Sequence, residues 1–377
     1  MSQNGKPPVL IVVQLTGGND FMNTVIPYAS SAYNDSRPTV GIKEDQVIPI
    51  DDTLGFHPDA APLKELYDQG AVAIVQGIGY PNSSRSHFRA MDIWHTCNPD
   101  RVGTEGWLAQ AVQQIDSQKE NVLTCVNLGR GLPRALVAPG VPITSVGSLD
   151  TYGAMSGIEE EQQRNEALRV FKEMYAPAVG AGVVNEYLNQ TGNDLLKGAD
   201  MLKKAPETYS SEVEYADNPI ANSLRDAAKV HLADLGTRVF YAEHGGYDTH
   251  ANEVPNHPKL MNELSGAIVD FFSDLRDHDA SDEVVMLVFT EFGRRIKDNG
   301  SGTDHGSGGG AFIIGDHVNG GLYAEYPPLA PDQWLNGEDL QHTIDFRGVY
   351  GTLLEQWLGI DASPIVGGAY EQIQPFK

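Results

Sequence analysis

The sequence predicts a three-layer α/β sandwich with a mostly parallel central sheet. Three observations carry this. Apolar, β-branched runs of strand length end in turn residues. Stretches with helical spacing of apolar residues lie between those runs. Polar residues able to do chemistry follow the carboxyl ends of the runs. The 377 residues are enough for one large α/β domain with insertions, or for two domains sharing a sheet.

Val9–Leu15 (VLIVVQL) is almost wholly apolar and runs into the turn cluster Thr16-Gly17-Gly18-Asn19-Asp20. That reads as a buried parallel strand followed by a functional loop. Ala71–Ile78, Val122–Leu128, Val239–Glu243 and Val284–Thr290 read as further strands, and Ala311–Ile314 as a short sixth. Helical patterns occupy Asp59–Asp68, Ser84–His95, Leu108–Ile115, Asn256–Asp277 and Phe346–Leu358. From Ile158 to Leu235 the rhythm breaks into three charged helical stretches, Glu159–Tyr175, Val184–Lys204 and Asn218–Leu235, with the acidic linker Pro206–Asp217. We read 8–377 as a single domain carrying a helical insertion over 155–236. Plain packing helices are the other reading of that stretch.

Composition narrows the function classes. The formal charge is −25, and such a surface repels nucleic acid and anionic membranes. An anionic substrate could be held only where a metal or an arginine overcomes that field. The two cysteines, Cys97 and Cys125, lack metal-ligand spacing and read as small hydrophobes, with a bridge between them left open. No signal peptide and no apolar run long enough to span a membrane is visible.

Ligands of open α/β sheets bind beyond the carboxyl ends of the strands, and four candidate loops lie there. Asp20 follows the first strand, where Gly17 and Gly18 allow close backbone approach and the carboxylate offers a hard oxygen ligand; a turn or capping Asp is the plain alternative. In Gly245–His250 (GGYDTH), extended backbone puts Asp248 and His250 on one side, suited to zinc, manganese or iron. His257 is a further candidate. Glu291 follows Val284–Thr290 directly, and Arg294 or Arg295 could clamp an anion or simply pair with it. Asp304–His305 lies in the glycine-rich loop 300–310, for metal binding, proton transfer or mere flexibility. Ser83–His87 opens a helix whose N-terminus favours developing anions. Ser84 or Ser86 could attack and Arg85 could neutralise the transferred group, although a capping serine is common there. There is no Gly-x-Ser-x-Gly elbow, phosphate loop or dinucleotide fingerprint.

These motifs in this order, LTGGNDFMNTVIPY, SSRSHFRAMD, GGYDTH, FTEFGRRIKDNGSGTDHG and DFRGVYGTLLEQWLG, resemble a bacterial family of unknown function numbered 1501. The resemblance runs from Val9 to Gly359 and groups the chain with alkaline phosphatases, sulfatases and cofactor-independent phosphoglycerate mutases. It implies an alkaline phosphatase-like sandwich with a two-metal site for divalent ions, and the mixed carboxylate and imidazole set favours zinc or manganese over calcium. It implies Asp20, Asp248, His250, Glu291 and His305 as metal residues and Ser86 or Ser84 as nucleophile; we add Asp304 to the metal residues and read His87 as a substrate-orienting group or acid. The expected activity is metal-dependent hydrolysis of an anionic phosphate or sulfate ester, small or polymeric. The alternative is a degenerate member serving in binding or cell-surface assembly, favoured by Phe292 standing where an Asp-His pair would put its histidine. Family kinship also implies a periplasmic or exported location.

Overall fold

The computed structural model describes residues 5–151, 158, 160–174, 194 and 196–377. Nine strands form one mixed sheet: β1 (Val9–Thr16), β2 (Val72–Gly79), β3 (Cys125–Leu128), β4 (Thr144–Val146), β5 (Val239–Gly245), β6 (Val284–Thr290), β7 (Gly309–Ile314), β8 (Gly321–Tyr323) and β9 (Ile344–Asp345). Their order is β8-β2-β7-β6-β1-β5-β3-β4, with β9 paired to β2. β1 runs parallel to β5 and β6, whereas β7 is antiparallel to both β6 and β2.

The apolar runs are strands because both faces of the sheet are covered. Ile11, Val13 and Leu15 of β1 belong to one hydrophobic core, and Leu10 and Val12 to the other. Strands buried on both faces lose the alternation of half-exposed ones. One layer holds the helices Ala61–Asp68, Pro219–Leu232 and Glu253–Asp277. The other holds His87–Thr96, Trp107–Ile115 and Phe346–Thr352, the last continuing as a π-helical turn over Leu353–Trp357. The expected three-layer architecture is therefore the one formed.

Several short elements carried too little pattern to be read, among them β4, β8 and β9. A small sheet of Val25–Ile26, Gly55–Phe56 and Ile48–Pro49 and the hairpin of Arg294–Asp298 with Thr303–His305 were missed for the same reason. The start of the expected helix Val184–Lys204 lies outside the described residues; residues 196–202 are helical. Pro219–Leu232, expected within the insertion, is part of the sandwich, since Ile220, Ala221, Leu224, Ala227 and Ala228 sit in the core. Both cysteines are buried and unbridged. Among the described residues no helix is long and apolar enough to cross a membrane.

Candidate active site

Strand register levels the loops of the site. Leu15 lies opposite Thr290 and Thr16 opposite Gly245, so β1, β5 and β6 end together. The segments 17–20, 246–250 and 291–294 thus leave the sheet side by side. Gly17 has a φ of 122°, and a Cβ there would stand 2.3 Å from the backbone nitrogen of Asp248. The glycine brings the first loop against the Asp248 loop rather than against a ligand. Arg294, fully buried, ties them together. Its Nε donates to the Gly18 carbonyl at 2.6 Å, and its Nη2 donates to the carbonyls of Gly17 and Tyr247 and to Asp248 Oδ1. Of the two arginines considered for an anion, Arg294 is therefore enclosed as a clamp, and Arg295 pairs with Glu338 at 3.0 Å.

Three imidazoles converge on Asp248. One ligand atom each from His87, Asp248 and His305 all lie within 4.8 Å of one another. His250 Nε2 is 3.2 Å from Asp248 Oδ1 and 2.8 Å from His305 Nε2. The far side of each ring decides its tautomer. His87 Nδ1 faces Glu291 Oε1 at 2.9 Å, His250 Nδ1 faces Asp304 Oδ1 at 2.9 Å, and His305 Nδ1 faces the Arg85 carbonyl at 2.8 Å. All three partners are acceptors, so each Nδ1 carries the hydrogen. Nε2 of each ring is then turned towards Asp248, a donor when the ring is protonated and an acceptor when it is neutral. His305 Nε2 stands 3.0 Å from Asp248 Oδ1, and His87 Nε2 is buried, without a hydrogen-bond partner and 3.5 Å from Asp248 Oδ2. Lone pairs facing one another at such distances require a shared proton or a cation between them.

Glu291 and Asp304, expected as direct ligands, thus stand behind the histidines. Glu291 also accepts from the Gly17 amide at 3.0 Å and from Thr290 Oγ1 at 3.0 Å. Its hydrogen bond raises the basicity of His87, and the His250 bond likewise holds the Asp304 carboxyl below its ordinary range. Burial disfavours the Asp248 charge, but the hydrogen bonds from Arg294 and His305 outweigh it and lower its pKa to about 2. Phe292 packs against both His87 and His305, with ring centroids 4.9 Å from each.

Asp20 is elsewhere. It is buried against Arg37, which the sequence reading passed over, and Arg37 Nη2 donates to Asp20 Oδ1 at 3.2 Å beside a still closer Nη1 contact. Glu253 completes this cluster, accepting from Asn23 Nδ2 at 3.0 Å and Thr303 Oγ1 at 2.8 Å. Burial works against the Asp20 charge, yet the guanidinium prevails and holds its carboxyl at about 2. Burial first, then the Asp20 charge, push Glu253 up to about 8. His257 and His57 line the same region and are held neutral by burial, with pKa values lowered to about 4 and about 3.

The serine segment touches the site through the Arg85 backbone, whose carbonyl lies 2.8 Å from His305 Nδ1. The Arg85 guanidinium is engaged by Asp339 and Glu338, so its backbone carbonyl is what serves the cluster. Ser84 Oγ accepts from the Ser86 amide at 3.2 Å. Ser86 is the N-cap residue of the His87–Thr96 helix, is exposed, and makes no side-chain capping bond. Beside the cluster opens a cleft of about 540 Å³, lined by His87, Glu291, Phe88, Met91, His95 and Arg134 among others. Neither serine lines it. His95 was missed as a site residue because a histidine inside a helical stretch carries no motif.

No curated protein matches this chain in sequence. Solved structures that resemble it include a sulfatase from Pseudoalteromonas sp., with a TM-score of 0.43 and 12% identity, covering 98% of this chain and 71% of that one. A protein of the alkaline phosphatase superfamily from Vibrio parahaemolyticus gives 0.40 and 11%, covering 99% and 71%. Alkaline phosphatase from the Antarctic bacterium TAB5 gives 0.35 and 10%, covering 84% and 95%. The family model described as protein of unknown function (DUF1501) matches residues 71–365, leaving the LTGGNDFMNTVIPY motif outside the match. The chain, matched over well more than half its length, belongs to the DUF1501 family of proteins of unknown function.

Proposed function

We propose that the chain is a metal-dependent hydrolase of phosphate or sulfate esters, with one divalent cation held by His87, Asp248, His250 and His305. The observation that supports it is the set of three imidazoles whose Nδ1 atoms sit on fixed acceptors and whose Nε2 atoms face one carboxylate. Carboxylates and carbonyls behind metal-binding histidines fix the tautomer and raise ligand basicity in this way. Three nitrogens and one oxygen suit zinc or manganese and disfavour calcium, which takes oxygen ligands. Asp20 is fully buried against Arg37 and lies outside the His87, Asp248 and His305 group, which supports a single ion rather than two. A divalent cation bound at the cluster polarises an ester oxygen and stabilises charge on the attacking and leaving groups.

The chain's own groups take the remaining roles. Ser86 is the nucleophile in this reading, being exposed, uncommitted to capping and next in sequence to His87. Asp304, Glu291 and the Arg85 carbonyl hold the imidazoles in place. The substrate is an anionic ester, and the cation supplies the local positive charge that the net −25 would otherwise deny it.

The test is metal analysis of protein purified without a polyhistidine tag, joined to a panel of phosphate and sulfate esters. The reading expects about one equivalent of zinc or manganese per chain and hydrolysis of at least one ester class. Ser86→Ala should abolish turnover while leaving metal content unchanged, and Ser84→Ala should change kcat by less than about tenfold, the scale of one lost hydrogen bond. Metal-free protein that cannot be reloaded, or full activity in Ser86→Ala, would overturn the reading or its nucleophile respectively.

A further inference from the structure

The cleft beside the cluster has a direction and a chemistry that the hydrolase reading does not use. His87, Met91 and His95 recur every four residues along one helix and so form one stripe. Eight residues of helix advance about 12 Å. The cleft therefore runs from the ligand cluster along this helix for about the length of one or two rings. Its walls are largely apolar. Met91 lies along the stripe and Phe88 stands at the rim, 91% exposed. A fully exposed aromatic beside a catalytic cluster is an uncovered platform.

Asp92 and Arg134 also line the cleft but are paired with each other at 2.8 Å, and at the far end lies a buried imidazole. His95 is 4% exposed, and its Nε2 is 2.8 Å from Gln14 Oε1. That oxygen also takes the hydroxyl of Tyr241, while Gln14 Nε2 donates to Met91 Sδ at 2.8 Å. The Gln14 oxygen can only accept, so His95 Nε2 carries the hydrogen and Nδ1 is a bare acceptor. The contacts to Gln14 and Tyr241 both fall on Nε2, and the ring lines the cleft. Burial lowers the His95 pKa to about 4, so the ring is neutral at physiological pH.

We infer that the cleft receives the alcohol portion of the ester, and that His95 selects alcohols with a hydrogen-bond donor on an otherwise apolar, ring-shaped body. This rests on the hydrolase reading for the position of the ester group. His95 acts on specificity, since a neutral acceptor that an occupant shields from water without pairing it disfavours any occupant lacking the donor.

The experiment compares meta- and para-hydroxyphenyl phosphates and sulfates with their methoxyphenyl counterparts, which keep the ring and the oxygen but lose the donor. The wild type should favour a hydroxyl member by about tenfold or more in kcat/KM, the scale of one hydrogen bond. His95→Phe should bring the ratio to about one, and the ratio is unaffected by any loss of folded enzyme. Phe88→Ala, at an exposed position, should raise KM for both members alike with kcat unchanged. Equal kcat/KM for both members in the wild type, or an undiminished preference in His95→Phe, would overturn the inference while leaving the hydrolase reading intact. Binding of resorcinol against 3-methoxyphenol, followed by calorimetry, needs no turnover. A His95-dependent preference for resorcinol in a protein that hydrolyses no ester would sustain the cleft assignment and sink the hydrolase. Equal binding of the two phenols would again overturn the inference.

Discussion

Two acidic clusters flank the same loops, and they solve the problem of charge in opposite ways. Around Asp20 everything is buried and self-sufficient, with Arg37 supplying the positive charge and Glu253 protonated beside it. Around Asp248 the side chains are partly open, with Asp248 at 48% and His250 at 44% exposure, and three imidazoles gather about the carboxylate. The first cluster is a completed structural joint. The second is open to solvent on one side. An arginine reaches both carboxylates, so the contrast lies in closure: Arg37 encloses Asp20 completely, whereas Asp248 keeps an open side on which imidazoles gather.

The largest effect that could break this contrast concerns the open cluster. Asp248→Asn should lose the bound metal and lower kcat/KM of the folded fraction by about a thousandfold, the several kcal/mol a Lewis acid contributes, with some loss of stability because buried Arg294 loses its carboxylate partner. Metal content and turnover on the same preparation check it. At the closed cluster, Arg37→Met should destabilise by about 3–5 kcal/mol, as expected when one partner of a buried pair is removed. Denaturant unfolding measures that loss, and the fraction that remains folded should still take up metal. Smaller effects come from behind the histidines. Glu291→Gln and Asp304→Asn should each weaken metal affinity by about 10–100-fold, read by competition with a chelating dye.

The smallest effect is on pH dependence. Glu253 is raised from 4.5 to about 8, so its contribution to stability is present below pH 4.5 and is lost as pH rises through 8. Asp20 and His257 act oppositely. Asp20 contributes above its ordinary 3.8 and loses this as pH falls through about 2; neutral His257 contributes above 6.5 and loses this as pH falls through about 4. Glu253→Gln should therefore gain stability relative to wild type between pH 5 and pH 9. Unfolding midpoints across that range, with chelator present, would show parallel curves if Glu253 were ionised throughout.

The architecture was legible because strands buried on both faces must be apolar throughout, as in Val9–Leu15 and Val284–Thr290. The alternation in Tyr247–His250 likewise announced that Asp248 and His250 share a side. Arg37 was not legible. It lies in a polar stretch, Asp35 to Thr39, that reads as surface, and its burial against Asp20 depends on a fold around Tyr33 and Ile296 that no local pattern encodes. Glu291 and Asp304 were legible as residues, but their contacts with the Nδ1 atoms of His87 and His250 were not, because sequence gives the position of a carboxylate and not which atom it meets. His87 was assigned to substrate because it follows the serines. Its Nδ1 contact with Glu291, more than two hundred residues away, is what turns its Nε2 to the cluster.

The most direct test is the affinity of the metal-depleted full chain for zinc and manganese, measured beside Asp248→Asn and Arg37→Lys. One tight equivalent in the wild type, lost in Asp248→Asn and kept in Arg37→Lys, is the expected result. Equal uptake by wild type and Asp248→Asn, or no stoichiometric uptake at all, would contradict the assignment of the open cluster as a metal site.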